Sequence, residues 1–116
     1  MDIEIGTDIV EISEFRNKIS ENSWTLKDVF VESEFEDNTS FSLTSRNEYF
    51  AGIFAAKEAF MKAYGKKVDW HDMWIEKDEN GKPVLHSSLL APKDKVKVSI
   101  SHDGDYAVAL VVIIRD

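Results

Sequence analysis

Two carboxylates and a lysine in this sequence could together act on a phosphate. Glu58 and Lys62 lie four residues apart in a segment with helical periodicity, so their side chains project from one face of that helix. On this face Lys62 could reach the same anion that a metal ion on Glu58 would bind. Asp8 falls near the end of a predicted strand and could supply a second carboxylate. Carboxylate oxygens, together with waters and substrate phosphates, are the ligands that Mg²⁺ prefers.

A histidine late in the sequence could join the same chemistry. His102 closes an alternating segment and is followed by an Asp-Gly pair, so its imidazole lies at a strand end where it could donate to a phosphate. Each candidate also has a structural interpretation. His102 could simply form a hydrogen bond within a turn, and Asp8 could be a surface or capping residue. Glu58 and Lys62 could form an ordinary solvated pair on a helix.

Several other kinds of site are excluded by the sequence. It contains no GxxxxGK[ST], GxGxxG, HExxH or GxSxG motif. The three histidines, His71, His86 and His102, lack metal-ligand spacing, and the absence of cysteine rules out thiolate zinc sites and disulfides. The formal charge of −8 repels nucleic acid and anionic membranes, so neither is an expected partner.

The composition predicts one globular domain spanning residues 1–116. The chain has 116 residues, 43% of them hydrophobic, and no repeat or Pro/Gly-rich linker divides it. The lack of cysteine suits a reducing compartment. The first ten residues, MDIEIGTDIV, carry acidic residues where a signal peptide has basic ones. We therefore expect a cytoplasmic protein.

The candidate residues depend on a strand and a long helix for their positions. Isoleucines at positions 3, 5 and 9 alternate with more polar residues, which predicts a half-buried strand with Asp8 on its polar face. Apolar residues at helical spacing, followed by Gly65, predict a long central helix from about Ser45 to Tyr64. This helix carries Glu58 and Lys62.

Shorter helices and a loop are predicted between these two elements. Helical spacing of apolar residues predicts a helix from Ile12 to about Asn22, with Ser13 as its cap. A weaker pattern predicts a second helical piece from Leu26 to Glu36. The stretch 38–45 is rich in Ser, Thr and Asn and predicts a loop.

The remainder of the sequence predicts strands. Residues 73–77 and 83–86 flank Asn80-Gly81, which supplies the positive φ angles of a tight hairpin turn. Residues 96–101 alternate as a further strand. Residues 106–114 are continuously apolar, so both faces of the last strand should be covered, which makes a subunit interface plausible. The order of elements predicts an α+β fold with a mainly antiparallel sheet packed on the long helix.

Four ordered blocks of the sequence carry a resemblance to a known family. They are IGTDIVEI at residues 5–12, FAAKEAFMKAYG at 54–65, NGKP at 80–83, and VSISH at 98–102 followed by Tyr106-Ala107. In their order and spacing they resemble the holo-[acyl-carrier-protein] synthases, the short 4′-phosphopantetheinyl transferases. The blocks extend over essentially the whole chain, which makes the combination far more specific than any one of them.

The resemblance implies a small α+β subunit of the 4′-phosphopantetheinyl transferase fold, usually a homotrimer with active sites between subunits. Its reaction transfers the 4′-phosphopantetheine arm of coenzyme A to a serine of an apo acyl carrier protein, for fatty acid biosynthesis or a specialised carrier system, and releases 3′,5′-ADP. By position, Asp8 and Glu58 would be magnesium ligands, and Glu58 and Lys62 the catalytic residues. Lys57, Lys62 and His102 would contact coenzyme A.

Three departures from the family pattern concern the cofactor and carrier surfaces. Glu14 stands where the family typically has an arginine that docks the carrier protein. Ile53 stands where the long helix usually carries an arginine near the nucleotide, and the segment after Gly65 is shorter and lacks a glycine-rich loop. These departures motivate a second hypothesis, in which the chain is a non-catalytic module that binds coenzyme A or a carrier protein.

Overall fold

The computed structural model of the chain describes residues 1–20, 25–36 and 43–115. Its elements are β1 Asp2–Glu11, α1 Ile12–Ser20, α2 Leu26–Val29, α3 Glu32–Glu36, α4 Leu43–Tyr64, β2 Met73–Lys77, β3 Pro83–Ser87, β4 Lys95–Asp103 and β5 Tyr106–Arg115, with a 3₁₀ turn at Trp70–Asp72. In the described part of the chain, no helix is long and apolar enough to cross a membrane. The order of elements confirms the predicted α+β class.

The strands form two antiparallel sheets. One contains β1, β5 and β4 with β5 in the centre, and the other is the β2–β3 hairpin. α4 packs on the inner face of the three-stranded sheet, where β5 contributes the buried Ala107, Ala109, Val111 and Ile113. The predicted antiparallel sheet on one long helix is therefore confirmed. The hairpin connection is longer than a two-residue turn, since it spans residues 78–82, with Gly81 at φ 80°.

The prediction of which face of β1 is buried was wrong. The exposed fractions of Ile3, Ile5 and Ile9 are 57%, 64% and 63%, whereas Gly6 and Val10 on the opposite face are buried against α4. The cause is a close approach of helix and strand. A Cβ atom on Gly6 would lie 1.9 Å from the carbonyl oxygen of Ala59. Alternation predicts the strand but cannot tell which face the helix covers.

The long helix begins slightly earlier than predicted and ends where predicted. α4 starts at Leu43 rather than Ser45, and the rest of the predicted loop at residues 38–42 lies outside the described residues. At the other end, Gly65 adopts φ 97° and its N–H donates to the carbonyl oxygen of Met61 at 2.8 Å. This left-handed residue satisfies one of the last helical carbonyls.

The shorter helices differ from prediction in their caps and breaks. α1 ends at Ser20, and the predicted end near Asn22 lies outside the described residues. Its N-terminus is capped by Asp105 of the β4–β5 turn, whose Oδ1 accepts the N–H of Ser13 at 3.0 Å, so Ser13 is not the cap. The predicted helix over 26–36 is interrupted at Phe30, whose φ of −108° and ψ of 143° are extended.

One side of the three-stranded sheet remains apolar and open in the single chain. We call this the outer apolar face, and it comprises Ile3, Ile5, Ile9, Tyr106, Val108 and Leu110. The three β5 residues are exposed by 49%, 39% and 43%. The expectation that both faces of the last strand are covered is therefore met on only one face within this chain. Exposed apolar patches of this kind are a common feature of surfaces that contact another molecule.

Candidate active site

Asp8 and Glu58 line one cavity of about 310 Å³ between β1, α1 and α4. We call it the carboxylate cavity. Asp8 reaches it because it lies on the face of β1 that packs against α4, two residues beyond Gly6. The other side chains that line it include Glu11, Glu14, Phe15, Lys18 and Phe54. The two carboxylates proposed from the sequence thus come together from separate elements.

Lys62 joins these carboxylates through a direct ion pair. Its Nζ donates to Oδ1 of Asp8 at 3.1 Å and to the backbone oxygen of Thr7 at 3.0 Å. The Asp8 side chain is only 17% exposed, whereas that of Lys62 is 56% exposed. Lys62 therefore partly neutralises Asp8 while its ammonium stays accessible to a second anion.

Glu58 is held in an environment that disfavours its charge. Burial is the main cause of its raised pKa, and the nearby charge of Asp8 adds to it. The ammonium groups of Lys62, Lys67 and Lys18 act in the opposite direction but do not cancel the rise. A raised pKa makes a carboxylate a stronger base than an ordinary exposed glutamate.

The donor set of the carboxylate cavity fits a magnesium ion. Two carboxylates face one space, and the charged side chains that line it leave its negative charge under-neutralised. Among the described residues of the lining, four are acidic and Lys18 is the one basic side chain. Mg²⁺ is commonly held by one or two carboxylates, with waters and substrate phosphates completing the shell. Within residues 1–20, 25–36 and 43–115, no cluster of three or more His, Cys, Asp or Glu side chains could hold a metal by itself. Asp8 and Glu58 could hold Mg²⁺ in this way.

His102 lies in a different and larger cavity of the same chain. This cavity of about 490 Å³, here called the His102 cavity, lies between α4, β4 and the β2–β3 hairpin. His102 Nδ1 is 3.3 Å from Oε2 of Glu48. Tyr49, Ile53 and Ile75 supply apolar walls, and Lys77 adds a cation. Within one chain, the structure does not bring His102 together with the two carboxylates.

Lys57 is corrected from a cofactor-binding residue to a buried structural one. Its side chain has no exposed surface, and its Nζ donates to the carbonyl oxygens of Val29 at 2.7 Å and Trp70 at 3.2 Å and to Oε1 of Glu34 at 2.8 Å. Burial lowers the pKa of Lys57, and Glu34 opposes that change. Successive helical residues diverge by about 100°. While Glu58 faces β1, Lys57 therefore faces α3 and presents no surface to a ligand.

Sequence reasoning missed Glu34, the partner of Lys57. Glu34 is fully buried although it lies in a five-residue helix that also contains Glu32 and Glu36. Nothing in the sequence distinguishes one of these glutamates from the other two. A buried lysine on an apolar helix requires a counter-charge, but only the folded structure identifies which residue supplies it.

Comparison with known proteins gives a single family over almost the entire chain. Residues 4–111 match the model of the 4′-phosphopantetheinyl transferase superfamily. The holo-[acyl-carrier-protein] synthase of Halalkalibacterium halodurans is 41% identical over 119 residues, which cover 99% of this chain and 98% of the relative. The enzyme of the same name from Bacillus subtilis is 37% identical over 115 residues, covering 96% and 94%.

Solved structures of holo-[acyl-carrier-protein] synthases are also similar to this chain. The complex of ACPS with CoA from Chronobacterium ammoniagenes superposes with a TM-score of 0.85 at 30% identity, covering 100% of this chain and 99% of that one. The Bacillus anthracis holo-(acyl-carrier-protein) synthase in complex with CoA (3′,5′-ADP) also has a TM-score of 0.85, at 31% identity, covering 97% and 96%.

Proposed function

Because the chain belongs to the 4′-phosphopantetheinyl transferase superfamily, as a transferase of the holo-[acyl-carrier-protein] synthase family, we propose that it acts on coenzyme A and an apo acyl carrier protein. The 4′-phosphopantetheine arm is transferred to a carrier serine, and 3′,5′-ADP is released. The observation that carries the proposal is that Asp8 and Glu58 line one cavity, in which the pKa of Glu58 is raised. A cysteine-free composition supports the cytoplasm as its location.

The side chains of the carboxylate cavity divide the chemistry between them. Glu58 accepts the proton of the serine hydroxyl, directly or through a water, as the serine oxygen bonds to the β-phosphorus of coenzyme A. The bond from that phosphorus to the bridging oxygen breaks, and the oxygen leaves with 3′,5′-ADP. Lys62 supplies a positive charge beside the departing phosphate. Mg²⁺ on Asp8 and Glu58 would neutralise charge on the pyrophosphate oxygens.

We assign the nucleotide end of coenzyme A to the His102 cavity. The imidazole of His102 and the ammonium of Lys77 suit a phosphate, and the apolar walls formed by Ile53 and Ile75 suit a flat base. At the position of the family's arginine, the side chain of Ile53 is 2% exposed and adds no charge. In this proposal, binding of the nucleotide relies more on apolar contact and less on charge than the family pattern implies.

We further propose that the chain assembles as a homotrimer through the outer apolar face. Exposed isoleucines on β1 and apolar residues on β5 lie side by side in one sheet, because Ile9 pairs with Val108 and Thr7 with Leu110. The separation of the two cavities within one chain also supports assembly, since one coenzyme A could then use cavities from two subunits. Sedimentation at micromolar concentration should give a trimer, and a monomer would contradict this assembly.

Incubation with coenzyme A, Mg²⁺ and a panel of apo carrier proteins tests the proposed activity. Mass spectrometry should detect addition of the arm to the carrier serine, and 3′,5′-ADP should form in equal amount. Failure to modify any carrier, including the carrier of the source organism, would contradict the proposal. If coenzyme A still bound, that result would leave the chain as a non-catalytic binding module.

A further inference from the structure

The most completely buried charges in the described structure belong to Glu34 and Lys57. Their side chains have no exposed surface, and Nζ lies 2.8 Å from Oε1. Removing two charges from water is costly, and a well-packed apolar pair is often as stable, so stability alone does not account for an ion pair of this kind.

Glu34 connects three elements through every oxygen it has. Its Oε1 also accepts the N–H of Val31 at 2.9 Å, and its Oε2 accepts the N–H of Ile75 at 2.9 Å. Its backbone carbonyl accepts the hydroxyl of Tyr49 at 3.0 Å. One residue of α3 thus binds β2 through Ile75 and α4 through both Lys57 and Tyr49.

Two of these connections end in the wall of the His102 cavity. Tyr49 and Ile75 both line it, one from α4 and the other from β2. Lys77 follows Ile75 on the same face of β2, and its Nζ lies 5.3 Å from the centre of the Tyr49 ring. Both walls are therefore hydrogen-bonded to Glu34, the α4 wall through Tyr49 and the β2 wall through Ile75.

We propose that Glu34 is a positioning residue for coenzyme A. Through Tyr49 and Ile75 it holds the α4 and β2 walls of the His102 cavity at the separation that the nucleotide end requires, and Lys57 is its counter-ion. Glu34 touches no substrate and acts on binding rather than on proton transfer at Glu58. This inference rests on the proposed function, because it takes coenzyme A as the occupant of the cavity.

The Glu34→Gln variant tests this role. An amide nitrogen cannot accept a hydrogen bond, and we expect the amide oxygen to stay with Val31 and Lys57, which both donate to Oε1. The N–H of Ile75 then loses its acceptor, and the β2 wall of the cavity is released. We expect the KM for coenzyme A to rise about tenfold, the effect of losing one hydrogen bond to a charged group, while kcat changes less than about twofold. The Mg²⁺ dependence should stay as in the unaltered protein.

A destabilised control separates positioning from general loss of stability. Ile113 is fully buried on the inner face of β5 and lines neither cavity. Ile113→Ala should lower the thermal midpoint while the KM for coenzyme A stays unchanged at a temperature where all variants are folded. Equal KM values for Glu34→Gln and Ile113→Ala, or a loss of kcat at unchanged KM in Glu34→Gln, would overturn the proposal.

Tyr49→Phe provides a second test if Glu34→Gln does not fold. It removes only the hydroxyl that donates to Glu34 and keeps the ring in the cavity. We expect a smaller rise in KM for coenzyme A, about two- to fivefold for a neutral hydrogen bond, and an unchanged KM would count against the role of Glu34. If the unaltered protein transfers no arm, the proposed function fails. Transfer with normal KM in the variants defeats only the positioning role.

Discussion

Lys57 and Glu58 are neighbours on α4, yet their charged groups lie in opposite environments. Lys57 is fully buried, and its ammonium donates to one carboxylate and two carbonyl oxygens. Glu58 faces the carboxylate cavity beside a second carboxylate, and burial together with Asp8 raises its pKa. The ammonium of Lys57 is fully hydrogen-bonded within the chain, whereas the carboxylate of Glu58 is left under-neutralised. A residue that binds a cation and accepts a proton requires the second condition.

In the proposed function, the same helix serves stability at Lys57 and chemistry at Glu58. Charged groups whose hydrogen bonds are all made within the chain cannot also bind a ligand. Their loss should therefore lower the free energy of unfolding. Groups left under-neutralised should affect activity strongly and stability little. If substitution of Lys57 mainly reduced activity, or if substitution of Glu58 mainly reduced stability, this distinction would be wrong.

The largest effect is expected from Glu58→Gln, measured as the transfer rate. An amide of nearly the same shape cannot accept the serine proton, so the rate should fall by about 10²–10⁴-fold, the usual contribution of a positioned base. Circular dichroism should show an unchanged fold. A variant that retained more than half of the rate would remove Glu58 from the mechanism.

Lys57→Met should produce the largest loss of stability. It leaves Glu34 charged and buried, and the carbonyl oxygens of Val29 and Trp70 lose their donor. Breaking a buried pair in this way lowers the free energy of unfolding by about 3–5 kcal/mol, which denaturant titration measures.

The matched control is the same substitution at an exposed lysine. Lys18 pairs with Glu14 at 3.6 Å, with side chains exposed by 53% and 63%. Lys18→Met should change the free energy of unfolding by less than about 1 kcal/mol. Comparable losses in the two variants would contradict the contrast between saturated and exposed charges.

A smaller effect is expected from Gly6→Ala, which acts on the contact that brings β1 and α4 together. The new methyl group would lie far inside van der Waals distance of the Ala59 carbonyl oxygen, so strand and helix must separate. We expect a loss of about 1–3 kcal/mol in the free energy of unfolding, typical of overpacking. Since Asp8 and Glu58 lie beside this contact, magnesium dependence should weaken as well. An unaltered magnesium response would show that the spacing of the two carboxylates does not depend on Gly6.

The smallest effect concerns pH and the stability of the metal-free protein. The pKa of Glu58 is raised in the folded state, so its contribution to stability is fully present below its unfolded pKa and is lost as pH rises through the folded pKa. In EDTA, Glu58→Gln should therefore unfold at a higher temperature than the unaltered protein at neutral pH, and the difference should shrink in acid. A difference that grows in acid would contradict the sign of this shift.

The sequence predicted the elements well because their signals are local. Gly65 ends α4 where expected, and the strands of the hairpin and of β4 and β5 lie at the expected residues. The buried face of β1 could not be predicted, since it depends on how closely the Ala59 backbone approaches Gly6. The burial of Lys57 depends likewise on a partner, Glu34, that is distant in sequence and resembles its neighbours.

The proximity of Asp8, Glu58 and Lys62 could be anticipated only from the ordered blocks of sequence. Spacing places Glu58 and Lys62 on one helix face, but the contact of Lys62 with Asp8 spans two elements. Local patterns in the sequence did not predict that His102 is separated from these residues within one chain. A sequence motif indicates which residues belong to one site. The fold of a single subunit shows which of those residues lie close together within one chain.

Calorimetric titration of coenzyme A, with Mg²⁺ and with EDTA, tests most directly whether Asp8 and Glu58 form a magnesium site. The unaltered protein should bind coenzyme A more tightly with Mg²⁺ than with EDTA, and Asp8→Asn should abolish that difference while leaving binding in EDTA unchanged. Equal affinities with and without Mg²⁺ in the unaltered protein, or a magnesium effect that survives Asp8→Asn, would contradict the assignment.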